Sequence, residues 1–300
     1  MADKTTVGFI GLGVMGEPMC RNIALQSGAD VIAFDIREEP LTRLARDGVT
    51  AASTMAELAN RSDLMMLSLP VGDELEAVCF GDDGIAHHAR PGTTVVDFST
   101  SPVELTREIA KRLSASDIAF ADAPVARTRL AAIDGTLSVM VGATSEVYER
   151  IRPTIDCVAD EITHCGPVGS GQIVKLMNNM VLFQTVSALA EALTIAHAAG
   201  LNGKVLFETL SKGSADSFAL RNHGMRALLP GEFPSEAFSV DYALKDLSYA
   251  LSLASESGIE ADGALLARSR LEAAREAGLG AAYFPALIKT IERPPPNESK

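Results

Sequence analysis

Up to about residue 166, short apolar runs alternate with segments whose apolar residues recur at helical spacing. Seven runs predict strands: VGFIG (7–11), DVIAFD (30–35), DLMMLSLP (63–70), TTVVDFS (93–99), IAFADAPV (118–125), TLSVMVGA (136–143) and EITHCG (161–166). Between them, SPVELTREIAKRL repeats apolar residues at three and four, with Pro102 suited to a first helical turn. This alternation predicts a mostly parallel sheet covered on both faces. After Gly166 the strand signal stops. One helical pattern then runs from Gly169 to Ala199 without Pro or Gly beyond Gly171. Lys175, Asn178, Asn179, Gln184 and Glu191 make it too polar for a bilayer, yet it is apolar enough for a central buried helix. Later helical patterns are punctuated by Gly200, Gly213, Pro230-Gly231, Gly258 and Gly278 to Gly280. The expected organisation is an α/β domain over 1–166, a long interdomain helix over 167–199 and an all-α domain over 200–293. The Pro-rich polar stretch at 294–300 is expected to be a disordered tail.

Composition mainly excludes. Three hundred residues are enough for one large or two ordinary domains. With 26 Lys and Arg against 39 Asp and Glu, the net charge of −13 argues against a nucleic-acid surface and leaves no basic tail for a membrane. The opening MADKTTVGFIG enters a strand almost at once, with no signal-peptide hydrophobic region. Cys20, Cys79, Cys157 and Cys165 lack CxxC spacing and read as reduced thiols, which fits a cytoplasmic location. The five histidines form no zinc pattern, so no metal is expected.

The first chemical signal is GFIGLGVMGEPM, in which Gly11, Gly13 and Gly16 form GxGxxG between a strand and a helix. Gly11 permits a tight turn, Gly13 lets the backbone approach a pyrophosphate, and Gly16 allows close packing of helix on strand. The helix N-terminus then offers N–H groups to phosphates. A glycine turn kept for packing alone is the plain alternative. Asp35 ends the second strand, nineteen residues beyond Gly16. A carboxylate there accepts hydrogen bonds from a ribose diol and repels a 2′-phosphate, favouring NAD over NADP. Arg37, two residues on, points the other way, since an arginine could reach that phosphate.

The second signal is GPVGSGQIVKLMNN (166–179), with Asn178 and Asn179 three and four residues beyond Lys175 and so on one helix face. A buried lysine is costly without partners and a task. Hydride transfer to a carbonyl creates an alkoxide that needs a proton, and a desolvated ammonium is suited to give one. Asn179 could orient the ammonium and Asn178 could bind substrate. A snorkelling lysine on a wet helix face is the structural alternative.

These motifs, with DFST (97–100), DAPV (122–125) and the late KDL (245–247), resemble the β-hydroxyacid dehydrogenases, the 3-hydroxyisobutyrate dehydrogenase family. The likeness runs in order along nearly the whole chain. It implies a Rossmann NAD-binding domain and an α-helical domain joined by the long helix, with the active site between them and Lys175 as catalytic acid/base. It also implies that Val14, Met15, Leu69 and Thr100 contact NAD, that Lys245 lies on the nicotinamide side, and that Ser99 lies near the substrate. Members of the family are commonly dimers or tetramers.

One loop departs from the pattern. Where most of the family has Ser-Gly-Gly after DAPV, this chain has Ala126, Arg127 and Thr128. Backbone amides in a small loop suit a compact carboxylate, whereas an arginine fork suits a larger or more strongly anionic group. Thr128 adds a hydroxyl. The run PVARTRLAAIDGTL is similar to the corresponding loop of sulfolactaldehyde reductases, a branch of the same family whose arginine engages the substrate sulfonate. Arg127 is therefore expected to grip a small anionic substrate, with Arg129 the more exposed of the two. Arg127 pointing to solvent is the alternative. The overall expectation is an NAD-dependent oxidoreductase of a short hydroxy acid, hydroxysulfonate or semialdehyde. Other substrates in view are 3-hydroxyisobutyrate, tartronate semialdehyde and succinic semialdehyde. An imine reductase generally lacks this lysine, and a dinucleotide-binding protein without turnover would not need it.

Overall fold

The computed structural model describes residues 4–70, 72–235 and 237–291, so the tail expected at 294–300 lies outside the described residues. The chain divides into two compact units, Met1–Lys175 and Leu176–Lys300. In the first, strands and helices alternate: β1 (Thr6–Ile10), α1 (Gly16–Gln26), β2 (Asp30–Phe34), α2 (Glu38–Leu44), β3 (Thr50–Ala51), α3 (Met55–Arg61) and β4 (Leu64–Leu67). There follow α4 (Gly72–Phe80), α5 (Ile85–His88), β5 (Thr94–Asp97), α6 (Val103–Ser114), β6 (Ala119–Asp122) and β7 (Val125–Ala126). Next come α7 (Arg129–Asp134), β8 (Leu137–Gly142), α8 (Ser145–Ile155) and β9 (Ala159–Gly166).

The strands form one sheet in the order β3-β2-β1-β4-β5-β6-β8-β7, with β9 against β8. From β3 to β6 every pairing is parallel. That is the doubly wound order 3-2-1-4-5-6, whose direction of winding reverses beside β1 and opens a crevice at the strand ends. Beyond β6 the parallel rule fails, because β8 runs antiparallel to β6 and β7. The strand expected over 118–125 is two strands. Pro124 interrupts the ladder, since it has no N–H to donate. β3 had no periodic signal to find: it is two exposed residues long.

Side chains alternate between two cores, one on each face of the sheet. Val7, Phe9, Val31, Ala33, Met66 and Val96 enter one, and Ile10, Ile32, Met65, Leu67 and Val95 enter the other. Burial of each larger aliphatic side chain contributes about 1.5–3 kcal/mol, which fixes the register and so the positions of the strand ends.

Helix α9 (Ser170–Ala198) continues past the division at Lys175. The second unit adds α10 (Gly203–Leu210), a π-helical stretch (Leu220–Leu228), α11 (Val240–Glu256), α12 (Asp262–Ala274) and a 3₁₀ segment (Phe284–Thr290). Phe183 of α9 is fully buried and meets Phe284 edge to face, with ring centroids 5.2 Å apart. The judgement that α9 is too polar to cross a membrane needs correcting: by length and composition alone it qualifies, with a mean hydropathy of 1.3 over its most apolar window. Phe183, Val186, Leu189, Ala190 and Leu193 supply that apolar character, and all five are buried.

Candidate active site

The glycine loop follows β1 directly. Gly11 has φ +90°, and a Cβ there would stand 2.3 Å from the Ser68 carbonyl oxygen. A Cβ on Gly16 would come within 1.9 Å of the Gly11 carbonyl oxygen, so only glycine lets α1 start this close to β1. Gly13 is different, since a Cβ there would meet none of the described residues within 4 Å. Two glycines are thus explained by the protein's own packing, and the third borders open space. Among the described residues no side chain caps α1 at Met15, and Val14 is exposed while Met15 is half-buried. An uncapped helix end beside a glycine with room in front of it fits a dinucleotide pyrophosphate. Gly16→Ala should destabilise the fold by about 1–3 kcal/mol. Gly13→Ala should leave the melting temperature within a few degrees and weaken NADH in a fluorescence titration.

Asp35 stands one residue past β2. Its Oδ2 accepts from Leu12 N at 2.6 Å, and its Oδ1 accepts from Arg37 N at 2.9 Å and Arg37 Nε at 3.1 Å. Burial alone would raise its pKa, but the hydrogen bonds from Arg37 and Leu12 outweigh that and hold the carboxyl below its usual range. Arg37 Nη2 also donates to the Leu12 carbonyl at 3.0 Å, tying the guanidinium to the glycine loop.

The ends of β4 and β5 are joined through Ser99, whose Oγ accepts from Leu69 N at 2.9 Å. Ser99 is buried and Thr100 half-buried. Gln172, fully buried in the first turn of α9, donates from Nε2 to the Ser99 carbonyl at 2.8 Å and accepts at Oε1 from Ser101 N at 3.2 Å. It grips the backbone on both sides of Thr100. Asp122, at the end of β6, accepts from Gly169 N at 2.6 Å and Gln172 N at 2.8 Å, a carboxylate on the positive end of α9. Burial pushes this carboxyl up to about 6, against the pull of the surrounding backbone N–H groups. Lys175, the next residue but two along α9, is buried at 9% exposure.

One turn further on, within the second unit, Asn179 is buried. Its Nδ2 donates to Asp246 Oδ2 at 2.7 Å, and its Oδ1 accepts from the exposed Asn178 at 3.0 Å. Asp246 is itself buried, and its other oxygen lies 3.3 Å from Lys245 Nζ. The Lys245 ammonium is 5.6 Å from the ring centres of both Tyr242 and Tyr249, a contact of cation on aromatic face.

Arg127 shares no hydrogen bond with the Ser99–Gln172 cluster among the described residues. It is exposed, with φ +82°, a left-handed conformation that costs a bulky residue about 1–2 kcal/mol. Its Nη1 donates to the Thr136 carbonyl and to Asp160 Oδ1, each at 2.5 Å. An exposed ion pair contributes about 0.2–1 kcal/mol, too little to outweigh that strain. Thr128 and Arg129 are exposed beside it.

Reasoning from sequence did not single out Gln172, Asp122 or Asp246 as site residues. Asp122 opens DAPV and Asp246 is the middle of KDL, so the signal for both lay inside motifs already in view. Gln172 carried no signal beyond its place three residues before Lys175.

Residues 6–166 match the family model for the NAD binding domain of 6-phosphogluconate dehydrogenase. Residues 169–291 match that for the NAD-binding of NADP-dependent 3-hydroxyisobutyrate dehydrogenase. The chain is 33% identical over 293 residues to 2-(hydroxymethyl)glutarate dehydrogenase of Eubacterium barkeri, covering 98% of this chain and 97% of that protein. It is 31% identical over 285 residues to 3-sulfolactaldehyde reductase of Escherichia coli strain K12, covering 95% of each. Among solved structures, Mycobacterium tuberculosis 3-hydroxyisobutyrate dehydrogenase with L-serine superposes with a TM-score of 0.88 at 30% identity, over 97% of this chain and 100% of that one. With NAD(P)-binding and 3-hydroxyisobutyrate dehydrogenase models matched in succession along it, this chain belongs to the β-hydroxyacid dehydrogenase family of NAD(P)-dependent oxidoreductases.

Proposed function

We propose that this protein interconverts a small anionic hydroxy acid or hydroxysulfonate and its aldehyde, with 3-sulfolactaldehyde as the leading substrate, NAD as the cofactor and Lys175 as the acid/base. The observation that carries the choice of substrate is Arg127, a strained left-handed arginine in the loop after β7. Backbone strain of this kind clusters where a binding site over-determines the chain. An arginine fork presents paired N–H donors and a full charge, matching a sulfonate better than a bare amide loop does. Thr128 adds a hydroxyl donor. The likeness to a 3-sulfolactaldehyde reductase over 95% of the chain supports the same choice.

When bound, NADH supplies the hydride that reduces the carbonyl carbon. The glycine loop and the start of α1 would hold its pyrophosphate, with Val14, Met15, Leu69, Thr100 and Lys245 as further contacts. Asp35, kept ionised, accepts from the adenosine ribose and repels a 2′-phosphate, while Arg37 is already engaged with Asp35. NADH is therefore preferred over NADPH, by about tenfold or more in kcat/KM. Ser99 and Asn178 line the substrate. Lys175 gives its proton to the carbonyl oxygen as the alkoxide develops, and takes it back in the oxidative direction. Asn179, held by Asp246, is assigned in this proposal to orient that ammonium.

A second reading is favoured by the Eubacterium barkeri relative, which is named for a hydroxymethyl dicarboxylic acid and matches 98% of the chain. An arginine fork accepts a distal carboxylate as well. A panel of 3-sulfolactaldehyde, succinic semialdehyde, tartronate semialdehyde, 3-hydroxyisobutyrate and 2-(hydroxymethyl)glutarate, each with both cofactors, separates the readings. The proposal expects 3-sulfolactaldehyde with NADH to give the highest kcat/KM. A carboxylate substrate ahead of it by tenfold would transfer the assignment to the second reading.

A further inference from the structure

We infer that Asp160 is the positioning residue that sets Arg127 as an anion clamp, an inference that rests on the role proposed for Arg127. Two local distortions of the sheet meet at this pair. One is the left-handed backbone of Arg127 itself. The other lies in the pairing of β8 with β9, where Leu137 faces Ala159 but Ser138 faces Glu161. Asp160 is the extra residue of that β-bulge. A bulge re-aims a side chain and twists its strand. Here it accompanies the contact of Asp160 Oδ1 with Arg127 Nη1 at 2.5 Å, and the same nitrogen donates to the Thr136 carbonyl just before β8.

One corner of the guanidinium is thus anchored twice. Its Nε and Nη2 make no hydrogen bond among the described residues, and that edge carries the parallel N–H groups that bind a carboxylate or sulfonate in bidentate fashion. Both side chains are well exposed, at 36% and 51%, so the ion pair adds little to stability. Stability alone gives no reason for a bulge and a strained arginine to converge. Orientation does. A free arginine loses rotamer entropy each time it binds an anion, whereas one fixed through Nη1 has lost much of it beforehand. The Asp160 charge works against the same anion, so the acceptor oxygen and the negative charge have opposite effects that substitution can separate.

The test uses the full chain with NADH bound and ethanesulfonate as the probe anion, titrated calorimetrically, with the KM for 3-sulfolactaldehyde measured in parallel. Asp160→Ala should weaken ethanesulfonate about five- to tenfold and raise KM to a similar degree, with kcat changing less. Asp160→Asn, which keeps the acceptor and removes the charge, should recover that loss. Because the pair is exposed, melting curves of both variants should stay near that of the wild type. If Arg127→Ala weakens the anion but Asp160→Ala binds it as tightly as the wild type, the role of Asp160 is overturned while that of Arg127 stands. If Arg127→Ala binds ethanesulfonate like the wild type, or the wild type shows no saturable binding, the anion site itself is refuted.

Discussion

Replacing Lys175 by alanine should lower kcat for aldehyde reduction by about 10³- to 10⁴-fold, and NADH should still bind within a few-fold of the wild type. The large effect follows from where the residue sits. Its side chain is buried in the first two turns of α9, three residues after Gln172, which itself holds the Ser99–Ser101 backbone. A group positioned for one proton transfer acts mainly in the transition state, so its loss appears in kcat rather than in cofactor affinity. Steady-state kinetics beside a fluorescence titration of NADH distinguish the two. A fall in kcat of less than tenfold would mean that Lys175 is a buried structural cation.

The second large effect is expected at Arg127. Truncation to alanine removes charge-assisted hydrogen bonds of about 2–3 kcal/mol, which raises KM for the anionic aldehyde by about 30- to 150-fold. Arg127→Lys should not recover this loss, because a point charge cannot reproduce the fork. Arg127→Gly should lose the same affinity yet melt no lower than the alanine variant, since glycine adopts φ +82° without strain. That contrast between affinity and melting separates a binding role from a structural one. KM values in all three variants equal to that of the wild type would remove Arg127 from the site.

Much of the fold was legible because its signals are local. Seven short apolar runs marked every described strand but β3, with β6 and β7 under a single run, and the helical pattern from Gly169 to Ala199 lies within a residue of α9 at each end. The glycine loop was legible for the same reason: the turn, the close approach and the helix start are all set within six residues, Gly11 to Gly16. Pro124 carried a readable warning that the strand over 118–125 is interrupted. The antiparallel β8 carried none, since direction is not written in an apolar run.

The supporting residues of the site were harder to see, and for one physical reason. Asp122 holds the start of α9 from the end of β6, Gln172 reaches back to the loop after β5, and Asp246 meets Asn179 from another helix. Each is a polar side chain whose partner is a backbone or amide group far away in sequence. Such pairings become visible only when the fold has brought their ends together. Asp160 is the extreme case, because a β-bulge leaves no mark in the alternation of residues.

Chemical rescue of Lys175→Ala tests the central claim most directly. Single-turnover oxidation of bound NADH by 3-sulfolactaldehyde is followed with increasing concentrations of methylammonium and of larger primary amines. The account predicts that the rate rises in proportion to the protonated amine, is greatest for the smallest amine, and is absent with tetramethylammonium, which has no proton to give. A rate unaffected by any of these, or raised equally by tetramethylammonium, would contradict proton transfer from the ammonium of Lys175.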